Sequence, residues 1–154
     1  MDRQPAVVIL AAGLGKRMQS SRAKVLHAVL GKPMVAYVVE AVVPIAGKAI
    51  VVVVGNQAED VRREVACRAE VMFAYQDRQL GTGHAVKCAL PHLPAECEEI
   101  MVLCGDVPLI TTATLRTLTA EHARAGRDIT LLAVDLDQPH GYGRVLLASG
   151  GQVL

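Results

Sequence analysis

Val7 to Lys24 reads VVILAAGLGKRMQSSRAK, and the reading of this stretch decides the fold. Val7 to Ala12 is an unbroken apolar run rich in branched side chains, which suits a strand buried on both faces. The glycines that follow, Gly13 and Gly15, let the backbone turn sharply and approach a ligand closely. Then come Lys16, Arg17, Arg22 and Lys24, where the free N–H groups of a glycine-rich loop already favour an anion. A strand running into a phosphate loop is the expectation. Two well-known phosphate loops are excluded: the dinucleotide fingerprint G-x-G-x-x-G needs glycine where Met18 stands, and the P-loop needs Ser or Thr after Gly-Lys, where Arg17 and Pro33 stand.

Working outward, the chain alternates strand-like and helix-like segments. Pro33 to Ile45 predicts a helix, because proline is pre-organised for a first helical turn. Lys48 to Val54 predicts a central parallel strand closed by Gly55-Asn56. Val61 and Val65 stand at helical spacing within Gln57 to Cys67, an exposed amphipathic helix. Ala69 to Tyr75 predicts a third strand, His84 to Leu90 a helix stopped by Pro91 and Pro94, and Glu99 to Cys104 a fourth strand. Thr111 or Thr112 caps a helix that runs to Gly126 with Leu115 and Leu118 inward, and Asp128 to Val134 predicts a fifth strand. The order is α/β, a Rossmann-like open and mostly parallel sheet with helices on both faces. Ligands in such sheets bind beyond the carboxyl ends of the strands, where the loops after strands one, three and four converge.

Composition narrows the function. The chain has 154 residues, 52% of them hydrophobic, enough for one domain with a substantial core. A net charge of +1 and 3% aromatic residues argue against a nucleic-acid surface. Cys67, Cys88, Cys97 and Cys104 form no C-x-x-C pair, so reduced thiols in the cytoplasm are expected. No apolar run is long enough for a membrane span, since Met34 to Ala46 is interrupted by Glu40 and ended by Pro44 and Gly47. Arg144 to Leu147, the turn Ser149-Gly150-Gly151 and Gln152 to Leu154 predict a hairpin whose return strand stops at once, so residues 1–154 are expected to be the N-terminal part of one longer domain.

Three further elements carry chemistry. Asp106, in L-C-G-D-V-P-L-I, ends a hydrophobic strand and is kept out of a helix by Val107-Pro108; a carboxylate there suits Mg²⁺, and a turn aspartate would occupy the same place. Gln76 to Ala85, QDRQLGTGHA, offers amides and close-spaced glycines for reading a pyrimidine edge, or simply makes a turn. Gly141-Tyr142-Gly143-Arg144 is weak alone and equally reads as a turn. No H-E-x-x-H pair and no nucleophile-elbow G-x-S-x-G occurs.

The stretch from Leu10 to His27 resembles the signature L-A-A-G-x-G-x-R-M-x-S-x-x-P-K-V-L-H of the sugar nucleotidyltransferases, in particular the bacterial N-acetylglucosamine-1-phosphate uridylyltransferases. One position departs, Ala23 standing where the signature has proline. The family's Q-x-x-Q-L-G-T-G-H-A, Y-G-D-V-P-L and G-Y-G-R elements follow in order, with Cys104 in place of the tyrosine. The resemblance implies that Arg17 and Lys24 grip a triphosphate, that Leu10, Ala11, Gly13, Gln76, Gln79, Gly81 and Thr82 contact the nucleotide, that Gly143 lies against the amino sugar, and that Asp106 binds Mg²⁺, with a second ligand, an asparagine, beyond Leu154. It implies UTP and N-acetylglucosamine 1-phosphate as substrates and a UDP-sugar for the cell wall as product. A non-catalytic nucleotide-binding or regulatory module of the same fold, or a nucleotidyltransferase for another sugar or alcohol phosphate, are the alternatives. Homo-oligomerisation through a domain beyond Leu154 is left open.

Overall fold

The computed structural model describes residues 4–13, 15, 18, 20–149 and 153. Four parallel strands form the sheet: β1 (Ala6–Leu10), β4 (Ile50–Val54), β5 (Met72–Tyr75) and β6 (Ile100–Cys104), in the order β5-β4-β1-β6. A two-stranded antiparallel hairpin, β2 (Ala28–Val29) and β3 (Lys32–Pro33), stands apart, turning on Leu30 and Gly31 at positive φ. The helices are α1 (Met34–Ala46), α2 (Ala58–Ala66), α3 (Thr82–Ala89) and α4 (Thr112–Ala125).

The order follows from the sequence and the handedness of crossovers. Val7 to Ile9 and all of β4 are fully buried, as strands with neighbours on both sides and helices above and below must be. Right-handed connections carry α1 and α2 to one face while the sheet grows from β1 through β4 to β5. The chain then reverses across the sheet to β6, so the same rule puts α3 on the other face. Two cores result. Val7, Ile9, Ile50, Val52 and Val54 pack with Val35, Val38, Val42, Val61 and Leu115, and Val8, Val51, Val53 and Ala74 pack beneath Ala85 and Ala89 of α3. Each fully buried valine contributes about 1.5–2 kcal/mol relative to exposure.

Helix ends agree with the expectations closely. Thr111 caps α4, its hydroxyl accepting from the Thr114 N–H at 3.1 Å, and Gly126 closes the helix at φ 55°. Two expectations are corrected. Pro33 does not open α1: it pairs with Ala28 in the hairpin and stands as the N-cap of a helix beginning at Met34. The fifth strand, Asp128 to Val134, does not form. Ile129, Leu131, Leu132 and Val134 are each more than half exposed, and the segment pairs with none of the described strands. A β-branched run becomes a strand only where a ladder partner lies beside it. At the predicted terminal hairpin, a single antiparallel bridge joins Leu147 to Val153.

Candidate functional site

Because every strand of the sheet is parallel, the loops after β1, β4, β5 and β6 leave one edge. Strand order reverses at β1, with β4 on one side and β6 on the other, which places a crevice at the carboxyl ends of β1 and β6. The β1 ladder continues on both flanks: the Ala11 N–H donates to the Val53 carbonyl, and the Gly105 N–H donates to the Leu10 carbonyl, both at 2.9 Å.

Three glycines let these loops touch. A Cβ on Gly55, after β4, would lie 3.0 Å from Ala12 Cβ, the Gln76 carbonyl and Gln79 Nε2. A Cβ on Gly105, after β6, would lie 3.1 Å from the Leu10 carbonyl and 3.3 Å from Val25. Gly15, at φ 61°, leaves room for Lys24, whose Cβ would be 2.9 Å away. The loop after β1 is therefore the shared neighbour of the loops after β4 and β6, and Gly55 joins it to the loop after β5.

On the β6 side, Lys24 Nζ lies 2.5 Å from Asp106 Oδ2, with the two side chains 43% and 28% exposed. A cation and a carboxylate meet where solvent and ligand can reach both. Lys24 opens a 3-10 turn, Lys24–Leu26, whose Val25 and Leu26 are buried, so the apolar pair anchors the backbone while the lysine stays at the edge. Burial and the nearby Asp106 carboxylate push the Cys104 thiol up from its ordinary pKa, and the Lys24 ammonium partly offsets them. Cys104 is thus held as a thiol.

On the β5 side, Gln76 is buried, and its amide is engaged within its own loop. Nε2 donates to the Gly81 carbonyl at 3.1 Å and to His84 Nδ1 at 3.0 Å. Since Nδ1 accepts, the ring proton of His84 sits on Nε2, which faces Cys88 Sγ at 3.9 Å and is no base for that thiol. Gly81 caps α3 at φ 105°, a conformation only glycine adopts without strain. Gln79, Gly81 and Thr82 are exposed around the buried Gln76.

The structure thus brings Leu10, Ala11, Lys24, Gln76, Gln79 and Asp106 to one edge, and Gly13 is exposed in the loop after β1. Arg17 lies outside the described residues. Gly143 is exposed, and a Cβ there would meet no atom within 4 Å, so it is not packed against the crevice. Its turn is braced by Arg144, whose Nη1 donates to the Pro139 and Tyr142 carbonyls.

Sequence reasoning missed Gly55, Gly105 and Gln57. Gln57, at φ 52°, reaches across to the loop after β1: its Oε1 accepts from the Ala23 N–H at 2.6 Å and its Nε2 donates to the Ser21 carbonyl at 2.9 Å. No local pattern signals a contact across that separation.

The donor set fits a magnesium ion in part. Asp106 offers a hard carboxylate oxygen, already beside a cation, and Mg²⁺ needs only one or two carboxylates when phosphates complete its shell. Among the described residues no group of three or more His, Cys, Asp or Glu gathers, so no all-protein metal cage is formed. No helix is long and apolar enough to cross a membrane, among those residues.

A match to the family described as the MobA-like NTP transferase domain runs over residues 7–152. The chain is 50% identical over 147 residues to the bifunctional protein GlmU of Caldanaerobacter subterraneus subsp. tengcongensis, covering 96% of this chain and 32% of that protein. It is 47% identical over 153 residues to the bifunctional protein GlmU of Heliobacterium modesticaldum, covering 99% and 33%. The chain spans about a third of the length of the curated relatives it matches. Among solved structures, a UDP-glucose pyrophosphorylase from Acinetobacter baumanii matches with a TM-score of 0.67 at 21% identity, over 80% of this chain and 54% of that one. A 4-diphosphocytidyl-2C-methyl-D-erythritol synthase from Anaerococcus prevotii matches at 0.60 and 17% identity, over 96% and 60%. These two show a shared fold.

Proposed function

The chain belongs to the MobA-like NTP transferase domain family, and from that premise we propose that it takes part in transfer of UMP from UTP to N-acetylglucosamine 1-phosphate, giving UDP-N-acetylglucosamine and pyrophosphate. A phosphate oxygen of the sugar 1-phosphate attacks the α-phosphorus of UTP; a P–O bond forms there as the bond to the bridging oxygen breaks, and pyrophosphate leaves with that electron pair. No enzyme nucleophile and no net proton transfer are needed. The chemistry asks for alignment of two polyanions and neutralisation of their charge.

The observation that carries this reading is the Lys24–Asp106 pair at the switch point of the sheet. Lys24 meets phosphate oxygens as a point charge, a role that Arg17 shares by resemblance alone. Asp106 would hold Mg²⁺ through its carboxylate, and the ion would supply positive charge against the charge that builds during transfer. Leu10, Ala11, Gly13, Gln79, Gly81 and Thr82 line the nucleoside side, and Gln76 faces the uracil. With both its amide hydrogens used inside the loop, Gln76 can meet a base only through Oε1, an acceptor, which suits the N3–H of uracil. Gly143 is assigned to the amino sugar. The setting is cytoplasmic, and the product serves the cell wall.

Calorimetry with UTP·Mg²⁺ and ATP·Mg²⁺, and an assay of pyrophosphate release, test the proposal. UTP preferred over ATP is expected, and any pyrophosphate release should require the sugar 1-phosphate. Equal affinity for ATP and UTP would overturn the roles of Gln76 and Gln79.

A further inference from the structure

Ala23 is fully buried and sits at φ −54°, ψ 135°, dihedrals that a proline ring would impose. In this chain no ring restrains it. Restraint comes from the loop after β4, where the Gln57 amide grips the backbone on either side of Arg22: Oε1 on the Ala23 N–H at 2.6 Å and Nε2 on the Ser21 carbonyl at 2.9 Å. Both partners are backbone groups of fixed polarity, so the amide has one orientation. Gln57 itself stands at φ 52°, in the left-handed region that disfavours a side chain, and the two bonds offset that strain. The segment it holds leads directly into Lys24, whose ammonium reaches Asp106.

We propose that Gln57 is a positioning residue that replaces, by hydrogen bonding, the rigidity a proline at position 23 would supply, and so fixes Lys24 for the triphosphate. The replacement is exclusive, because a proline at 23 has no N–H to donate and its Cδ, in place of that hydrogen, would crowd Gln57 Oε1, which lies 2.6 Å from the Ala23 nitrogen. Gln57 and a proline at 23 are alternatives.

The consequence for triphosphate binding rests on the nucleotidyltransferase reading, whereas the consequence for backbone protection does not. Gln57→Gly removes the clamp and relieves the positive φ, so the melting temperature should hold while amide exchange across residues 20–27 of the ligand-free protein rises about tenfold, with β1 and β4 unchanged. Gln57→Met, which keeps the volume and loses both bonds, should show the same exchange. Both variants should bind UTP·Mg²⁺ about five- to tenfold more weakly and uridine as before. Ala23→Pro should lower protection and affinity in the presence of Gln57, and restore triphosphate affinity to within about twofold in the Gln57→Gly background. Unchanged exchange across 20–27 in Gln57→Gly would overturn the clamp whether or not any nucleotide binds. Faster exchange with UTP and uridine weakened alike would overturn the role toward Lys24. Failure of the unsubstituted protein to bind UTP at all, with exchange faster as expected, would overturn the nucleotidyltransferase reading and leave the clamp standing.

Discussion

The loops after β1 and β5 flank the same crevice and are held in opposite ways. The loop after β5 braces itself: Gln76 reaches Gly81 and His84 within its own turn. The loop after β1 is held from outside, by Gln57 of the β4 loop and by the close approach of Gly105 after β6. The difference follows from what each presents. A base reader is neutral and rigid, and its own amide and imidazole satisfy one another. On the proposed reading the loop after β1 must keep its cations within reach of a phosphate, so its restraints are borrowed from neighbours.

The largest effect expected comes from breaking the charged side alone. Asp106→Asn should lower turnover by about 100-fold, because on the proposed reading the lost carboxylate would hold the metal that offsets charge in the transition state. The fold should survive, since Asp106 is at the sheet edge and partly exposed. Near-normal turnover with an unchanged melting curve would end the assignment.

Gly55→Ala strikes the point where both loops meet. The new Cβ would lie 3.0 Å from a backbone carbonyl, a neighbour that cannot swing aside. A cost of about 1–3 kcal/mol is expected, read as a lower melting temperature, and UTP and uridine should weaken together because the base loop is displaced. If UTP alone weakened, the two loops would not share this hinge of contact.

Separating the loops gives a smaller contrast. Lys24→Ala should weaken UTP about tenfold and leave uridine unchanged, as its proposed partners are phosphates. His84→Ala removes the acceptor on the Gln76 amide and should weaken both ligands alike by about fivefold. Titration calorimetry with the two ligands and the two variants completes the comparison; matching profiles would show that the loops do not divide the nucleotide between them.

The same division decides what was legible in the sequence. The loop after β5 is one contiguous element, so QDRQLGTGHA already puts Gln76, Gln79, Gly81 and Thr82 in one place, the place the proposed function gives to the base. Lys24 and Asp106 were legible singly, each at a strand's carboxyl end, because parallel strands send such ends to one edge. Their direct pairing was not, nor was Gln57, since a contact across 34 residues has no local periodicity. The strand predicted at Asp128 to Val134 failed for the same kind of reason. Its composition is a local property, whereas forming a strand depends on a partner elsewhere.

The smallest effect tests the Lys24–Asp106 geometry without any ligand. Cys104 stands within reach of both charges, and its thiol is held protonated chiefly by burial, then by the Asp106 carboxylate, against the pull of the Lys24 ammonium. The thiolate is the species that alkylates. Removing the negative charge, in Asp106→Asn, should lower the Cys104 pKa and move the midpoint of its alkylation by iodoacetamide to lower pH. Removing the positive charge, in Lys24→Ala, should move that midpoint to higher pH. Burial, the largest cause, is common to both variants, so each shift is modest and its sign is the readout. Mass spectrometry of the Cys104 peptide against pH reads the signs directly. Shifts in the same direction for both variants would mean that the ammonium and the carboxylate do not stand together beside Cys104, and the charged side of the crevice would have to be rebuilt.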